Sequence, residues 1–176
     1  MKARLSVLLA ILSLALHPDA CAGDLSAGLF NSFKGFGISV DHIANDDIYN
    51  SFTVYADIYR MPFGETAYPG IKIVYLHYNR IATINRQYST YDIFIAPGFS
   101  TGYVRDFEKP RPGLVTAADL SLAVKMRTEK NIDVEFGFLS EIGFISNSGN
   151  GKTQVGIYSN GLRQSWYPII KLMYRF

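Results

Sequence analysis

Cysteine is almost absent from this chain of 176 residues, in which Cys21 is the only thiol. One cysteine cannot form an internal disulfide, and no pair or cluster of cysteines exists to hold a metal. After Gly23 there is also no apolar stretch near the eighteen residues that a membrane-spanning helix needs. The 17 basic and 15 acidic residues are scattered without a basic stripe, so nucleic acid is not an expected partner.

The first 22 residues differ from the rest of the chain. Lys2 and Arg4 precede an apolar run over 5–16, Pro18 breaks it, and Ala20-Cys21-Ala22 offers small residues for cleavage. This order is typical of a secretory signal peptide and predicts a cut between Ala22 and Gly23, leaving residues 23–176 as one domain. Cys21 then leaves with the signal, although a lipidated cysteine is the alternative.

Alternation with a period of two dominates residues 23–176, and Gly, Pro, Asn and Asp separate the alternating segments. Aromatic residues are abundant there, with twelve tyrosines, twelve phenylalanines and one tryptophan. No segment holds a sustained helical pattern with caps. The pattern predicts eight strands within the segments 33–42, 51–60, 71–78, 88–103, 117–126, 132–144, 153–159 and 167–176. This favours an all-β, eight-stranded, antiparallel up-and-down barrel, of a length and strand number suited to spanning a membrane.

Three features favour a barrel that is apolar outside and polar inside, which is the reverse of a soluble carrier. Glycines share the polar faces with tyrosines and carboxylates, as expected of a filled interior. Lys125 and Asp133 are expected to face each other as an ion pair across one hairpin. Aromatic residues cluster near predicted strand ends and suggest girdles at two interfaces: Tyr49, Phe52, Tyr88, Tyr91, Tyr103, Phe107, Trp166, Tyr167, Tyr174 and Phe176. Residues 71–78 are apolar on both faces, and the pattern does not orient them.

The last strand carries a recognisable motif. Ile170, Leu172, Tyr174 and Phe176 form one apolar and aromatic row, with Phe176 as the last residue of the sequence. The row resembles the terminal strand of outer-membrane β-barrel proteins. That resemblance implies a location in the cell outer membrane and recognition of this strand by the barrel-insertion machinery.

Few residues suggest chemistry. Asp41 and His42 are adjacent on a strand, so they point to opposite faces and do not form an acid–base pair. The stretch 157–164 faintly resembles the His-x-Ser-Asn segment of lipid A deacylases through Ser159 and Asn160, but Ile157 stands where the base should be. The same stretch also fits an Asn-Gly turn. The sequence therefore predicts no catalytic, cofactor-binding or metal-binding residues.

These observations favour an outer-membrane barrel with a structural or interaction role and no general pore, since eight strands leave an interior that side chains can fill. Its expected partners are outer-membrane lipids and lipopolysaccharide. Two alternatives stay open: a divergent lipid- or lipopolysaccharide-modifying enzyme of the outer membrane, and a soluble periplasmic or secreted ligand-carrying barrel.

Overall fold

The computed structural model describes residues 24–58, 70–87, 89–105, 112–128, 131–149, 152–158 and 166–176. Within these ranges we find no helix with the length and hydropathy that a membrane crossing requires. The strands are β1 Asp24–Ser32, β2 Gly35–Asn45, β3 Ile48–Asp57, β4 Gly70–Arg86, β5 Ser89–Arg105, β6 Pro112–Arg127, β7 Ile132–Gly149, β8 Lys152–Ile157 and β9 Tyr167–Arg175.

Eight of these strands close into a ring. Strands β1 to β7 pair antiparallel in chain order, and β9 pairs with both β7 and β1. The eight-stranded antiparallel up-and-down barrel predicted from the sequence is therefore confirmed. Closure leaves the wall without an open edge along the paired residues, which is the condition that a β-structure must meet in lipid.

The ring is not built from the eight segments that the pattern predicted. The predicted strand over 153–159 corresponds to β8. It pairs with residues 144–149 of β7, whereas β9 pairs with residues 132–139 of the same strand. The missing member is β1, where Phe30 faces the interior and the polar Asn31 follows it, so the alternation is weak. Local alternation shows that a segment is extended but does not show which strands it joins.

The up-and-down order gives the barrel two distinct ends. The turn end carries the Asp46–Asp47 turn, the β4–β5 and β6–β7 connections, Asp24 and Phe176. The loop end carries the β1–β2 turn at Phe33 and Lys34 and the β3–β4, β5–β6 and β7–β8 connections.

The polarity of the wall matches the expectation from the sequence. Inward positions carry the charged and small polar side chains, and outward positions carry exposed aliphatic and aromatic ones. Strand β4, which the pattern left without orientation, points Lys72, Val74, Leu76 and Tyr78 inward. The inside-out polarity is opposite to that of a soluble carrier barrel.

Glycine makes room for large interior rings. Gly37 lies opposite Tyr55 on the neighbouring strand, and Tyr55 is almost fully buried. A Cβ atom placed on Gly37 would lie 2.6 Å from the Cβ of Tyr55 and even closer to its backbone. The small inward residue is therefore part of how this narrow barrel accommodates a tyrosine.

Candidate functional site: the filled interior

The interior near the turn end is organised around the carboxylate of Glu135 on β7. The hydroxyls of Tyr49 and Tyr78 each donate a hydrogen bond of 2.8 Å to it, one to each oxygen. The ammonium of Lys171 lies 3.2 Å from Oε1 of Glu135 and also donates to Ser51 Oγ at 3.0 Å and Tyr78 Oη at 3.1 Å. We name these five residues, Tyr49, Ser51, Tyr78, Glu135 and Lys171, the turn-end cluster.

Between this cluster and the opening of the barrel at the turn end, which we name the mouth, the interior is filled by ion pairs. Lys125 lies 3.4 Å from Asp133 and 3.9 Å from Asp41, and Arg175 lies 3.2 Å from Asp133. The predicted contact between Lys125 and Asp133 is confirmed, but the residue directly opposite Lys125 is Glu135. A polar pocket of about 50 Å³ opens beside these groups.

The rim of the mouth is bound together by Arg127. Its guanidinium lies 2.9 Å from Oδ2 of the buried Asp92 and 2.9 Å from Oδ1 of Asp46 in the exposed β2–β3 turn. The hydrogen bond from Arg127, followed by its charge, holds the pKa of Asp46 below its ordinary value of 3.8. The turn is thereby tied to β6 across the opening.

The interior near the loop end is organised around a second carboxylate, Glu141. Its Oε2 lies 2.9 Å from Nζ of Lys34, and its Oε1 pairs with Lys72 and accepts a hydrogen bond of 2.8 Å from Tyr167. The ammonium of Lys34 also lies 4.2 Å from the centre of the Tyr167 ring, a cation–π distance. We name Lys34, Lys72, Glu141 and Tyr167 the loop-end cluster.

A mainly apolar layer lies between the two clusters. On β7, Leu139 lies between Glu135 and Glu141, and on β9, Ile169 lies between Tyr167 and Lys171. The layer, which we name the apolar septum, consists of Phe30, Val74, Leu76, Ala96, Leu139 and Ile169, all buried. A second apolar group lies beyond the loop-end cluster and contains Val104, Val115, Ala117, Ile145 and Tyr158. The septum also contains buried hydroxyls, since Thr53 lies opposite Val74 and Ser121 opposite Leu139.

The predicted aromatic girdle is partly wrong. Tyr49 and Tyr167 are buried, because their hydroxyls bind the interior carboxylates rather than an interfacial headgroup. Tyr88 and Phe107 lie outside the described residues. The outward members of the set with exposed rings are Phe52, Tyr103, Trp166, Tyr174 and Phe176, and Tyr91 is outward and partly exposed. A tyrosine beside a turn therefore satisfies either an interface or a buried carboxylate, and the sequence does not distinguish the two.

The residues weighed for chemistry do not come together. Asp41 points into the barrel and His42 to the outer wall, as expected of neighbours on a strand. Ile157 is an exposed outward side chain, while Ser159 and Asn160 lie outside the described residues. In the part of the chain that the structure describes, no three His, Cys, Asp or Glu side chains gather as metal ligands.

The comparisons with known proteins concern the fold. No protein-family model matches the chain, and neither does any curated protein. Among solved structures, the N-terminal β-barrel domain of Pseudomonas aeruginosa OprF is similar with a TM-score of 0.57 and 9% identity, over 89% of this chain and 98% of that one.

Two further structures match with lower scores. They are a major outer membrane protein of Thermus thermophilus, with a TM-score of 0.43, 9% identity and coverage of 88% and 100%, and Ail, the attachment invasion locus protein of Yersinia pestis, with 0.41, 12% identity and coverage of 88% and 97%. At such identities the likeness is one of fold. The chain thus has the architecture of small outer-membrane β-barrels, and its likeness to lipid A deacylases stays a prediction.

Sequence reasoning missed most of the interior pairing. Lys34 and Glu141 are 107 positions apart, and Lys171 and Ser51 are 120 apart. The available signal was the set of lysines and carboxylates on the polar faces, which must be neutralised inside a narrow barrel. Their partners depend on how far the strands shift on closure, and no local pattern contains that information.

Proposed function

We propose that this protein resides in the cell outer membrane as a closed β-barrel with a structural or interaction role, and that it forms no general pore. The observation that carries the proposal is the succession of interior layers: ion pairs at the mouth, the turn-end cluster, the apolar septum, the loop-end cluster and the second apolar group. An interior filled in this way leaves the outer wall and the two ends as the surfaces available for partners.

Membrane residence is supported by the outer wall. Exposed aliphatic and aromatic side chains cover it on all strands of the ring, including Leu29, Phe36, Phe99, Leu122, Phe136 and Leu172. An apolar wall of this extent on a soluble protein would be an aggregation surface. Lipid solvates it, and outer-membrane lipids and lipopolysaccharide are the partners that we propose for it.

Two measurements on one preparation test this proposal. Protein purified from outer-membrane fractions should change its gel mobility on boiling, since a closed barrel resists unfolding in detergent at room temperature. In planar bilayers the same protein should give no sustained current. A steady single-channel conductance would contradict the closed interior, and recovery of the protein only from the periplasmic fraction would contradict the location.

The barrel-insertion machinery is the second partner that we propose, through β9. This strand closes the ring between β7 and β1, and the backbone N–H of Phe176 bonds to the carbonyl of Leu25 at 3.0 Å. The Phe176 side chain is 78% exposed, so its removal should disturb little packing.

A substitution at Phe176 separates recognition from packing. Phe176→Asp should sharply reduce folded protein in the outer membrane and leave degradation products in the periplasm, whereas Phe176→Tyr should be tolerated. Membrane levels and heat-modifiable mobility report the outcome. An Asp variant that accumulates as the wild type does would contradict a role for this residue in assembly.

A further inference from the structure

The outer wall of β2, β3 and β4 carries a polar row near the turn end. His42 lies directly opposite Asn50, and Asn50 lies directly opposite His77. All three side chains are partly exposed and face outward, because their chain neighbours Asp41, Tyr49 and Tyr78 face the interior. We name His42, Asn50 and His77 the outer polar row.

The row contrasts with the remainder of the wall. Outward residues near the turn end of the other strands are apolar, such as Val124 on β6, Ile132 on β7 and Leu172 on β9. Polar groups facing hydrocarbon cost free energy unless they find hydrogen-bond partners. The row therefore needs either internal partners or a polar environment.

Internal bonding satisfies only part of the row. Oδ1 of Asn50 accepts a hydrogen bond of 2.8 Å from the hydroxyl of Tyr75 and lies 2.7 Å from Nδ1 of His77. Since Oδ1 is an acceptor, Nδ1 of His77 must carry the proton. In the neutral ring, Nε2 of His77 is then an acceptor. Nε2 of His42 is enclosed and has no hydrogen-bond partner among the described residues.

We propose that the outer polar row is a contact site for phospholipid headgroups bearing a primary amine, so that the headgroup level dips towards the barrel over β2–β4. This inference rests on the proposed membrane residence. A primary ammonium can donate an N–H bond to the accepting Nε2 of His77, whereas a quaternary ammonium has no N–H and a phosphate only accepts. Asn50 of the row lies three residues along β3 from Asp47 in the exposed turn.

The charge of the surface favours a headgroup over a second copy of the chain. The row contains no charged side chain, and the nearest arginine on β4, Arg80, is bound to Asp47 and Asp92. A small neutral acceptor site fits a zwitterionic headgroup, and a stable protein interface would need a far larger complementary patch. Self-association is accordingly an outcome that the experiment must detect.

Histidine labelling gives signals from the outer polar row only, because His42 and His77 are the only histidines in residues 23–176. The protein is labelled at histidine and at isoleucine methyls and placed in nanodiscs of phosphatidylethanolamine. Paramagnetic labels are then attached to the lipid, either at the headgroup or deep in the acyl chain. We expect the headgroup label to broaden the histidine ring signals more strongly, and the acyl label to broaden outward isoleucine methyls such as Ile95 and Ile170.

Exchanging the lipid tests the amine. Replacing phosphatidylethanolamine with phosphatidylcholine should shift the Nε2 resonance of His77 and leave that of the enclosed His42 unchanged as an internal control. Asn50→Leu, which frees the His77 ring, should abolish the shift. A His77 signal broadened mainly by the acyl label, unshifted between the two lipids, or broadened by a spin-labelled second copy of the chain would overturn the proposal. If neither lipid label broadened any isoleucine methyl, the membrane residence itself would be wrong.

Discussion

The two interior clusters use the same chemistry in opposite proportions. Glu141 at the loop end holds two lysines and one tyrosine, whereas Glu135 at the turn end holds one lysine and two tyrosines. Lys171 keeps Ser51 and Tyr78 as further acceptors. Both loop-end lysines therefore pair with one carboxylate, whereas the turn-end cluster is a network in which Lys171 and Tyr78 each have several partners.

The clusters also differ in where their members originate. All five residues of the turn-end cluster lie on strands, but Lys34 comes from the β1–β2 turn and enters the barrel to reach Glu141. Its side chain is 1% exposed although its neighbour Phe33 is 55% exposed. The loop-end cluster thus fixes the position of a turn, and the turn-end cluster fixes the relative positions of strands.

The largest expected effect comes from removing the two carboxylates in turn. Glu141→Gln removes the one carboxylate that contacts both buried lysines, Lys34 and Lys72, and should cost about 3–5 kcal/mol of unfolding free energy. Glu135→Gln removes the carboxylate partner of Lys171 alone, and Lys171 retains two hydroxyl partners, so this change should cost about 1–3 kcal/mol. Urea unfolding of both variants in the same micelles measures the difference. Equal costs, or a larger cost at Glu135, would remove the distinction between a single anchor and a network.

The second effect concerns the septum that keeps the clusters apart. Leu139→Ala leaves a cavity between them and should cost about 2–5 kcal/mol. Leu172→Ala on the outer wall is the matched control, because it loses the same apolar surface but lipid or detergent fills the space. Urea unfolding of both variants gives the cavity contribution as their difference. If the outward substitution cost as much as the inward one, Leu139 would not be packed in a closed layer.

The comparison also shows what the sequence could predict. The alternation predicts correctly which side chains face the interior, among them Lys125, Asp133, Glu135 and Glu141. The contact between Lys125 and Asp133 followed from a single hairpin. The groups that bind Glu135 and Glu141 come from the far side of the barrel, so only closure of the ring brings them together.

The errors have the same origin. Strand β1 has weak alternation because Phe30 faces the septum, and a buried phenylalanine in a polar interior contradicts the pattern of its neighbours. Their places near strand ends predict interfacial positions for Tyr49 and Tyr167, but each side chain reaches inward to a carboxylate. Both errors arise because the interior has apolar and ionic layers in succession, whereas the alternation rule assumes that every inward position of a membrane barrel is polar.

The smallest expected effect lies at the rim, where Asp46 extends the turn-end ion pairs into solvent. Its pKa is held below the ordinary value by the hydrogen bond and charge of Arg127, so the pair stabilises the fold above that value. As the pH falls through the lowered pKa, the carboxylate is protonated in the folded state as well and the contribution is lost.

Since Asp46 is exposed, we expect a difference of about 0.2–1 kcal/mol in unfolding free energy between wild type and Asp46→Asn at neutral pH. The difference should vanish in acid, where a protonated Asp resembles Asn, and should shrink in high salt. Urea unfolding at several pH values measures it. No difference at neutral pH would mean that the turn is held by the hydrogen bond from Arg127 to the backbone carbonyl of Asp46, which the Asn variant retains, rather than by charge.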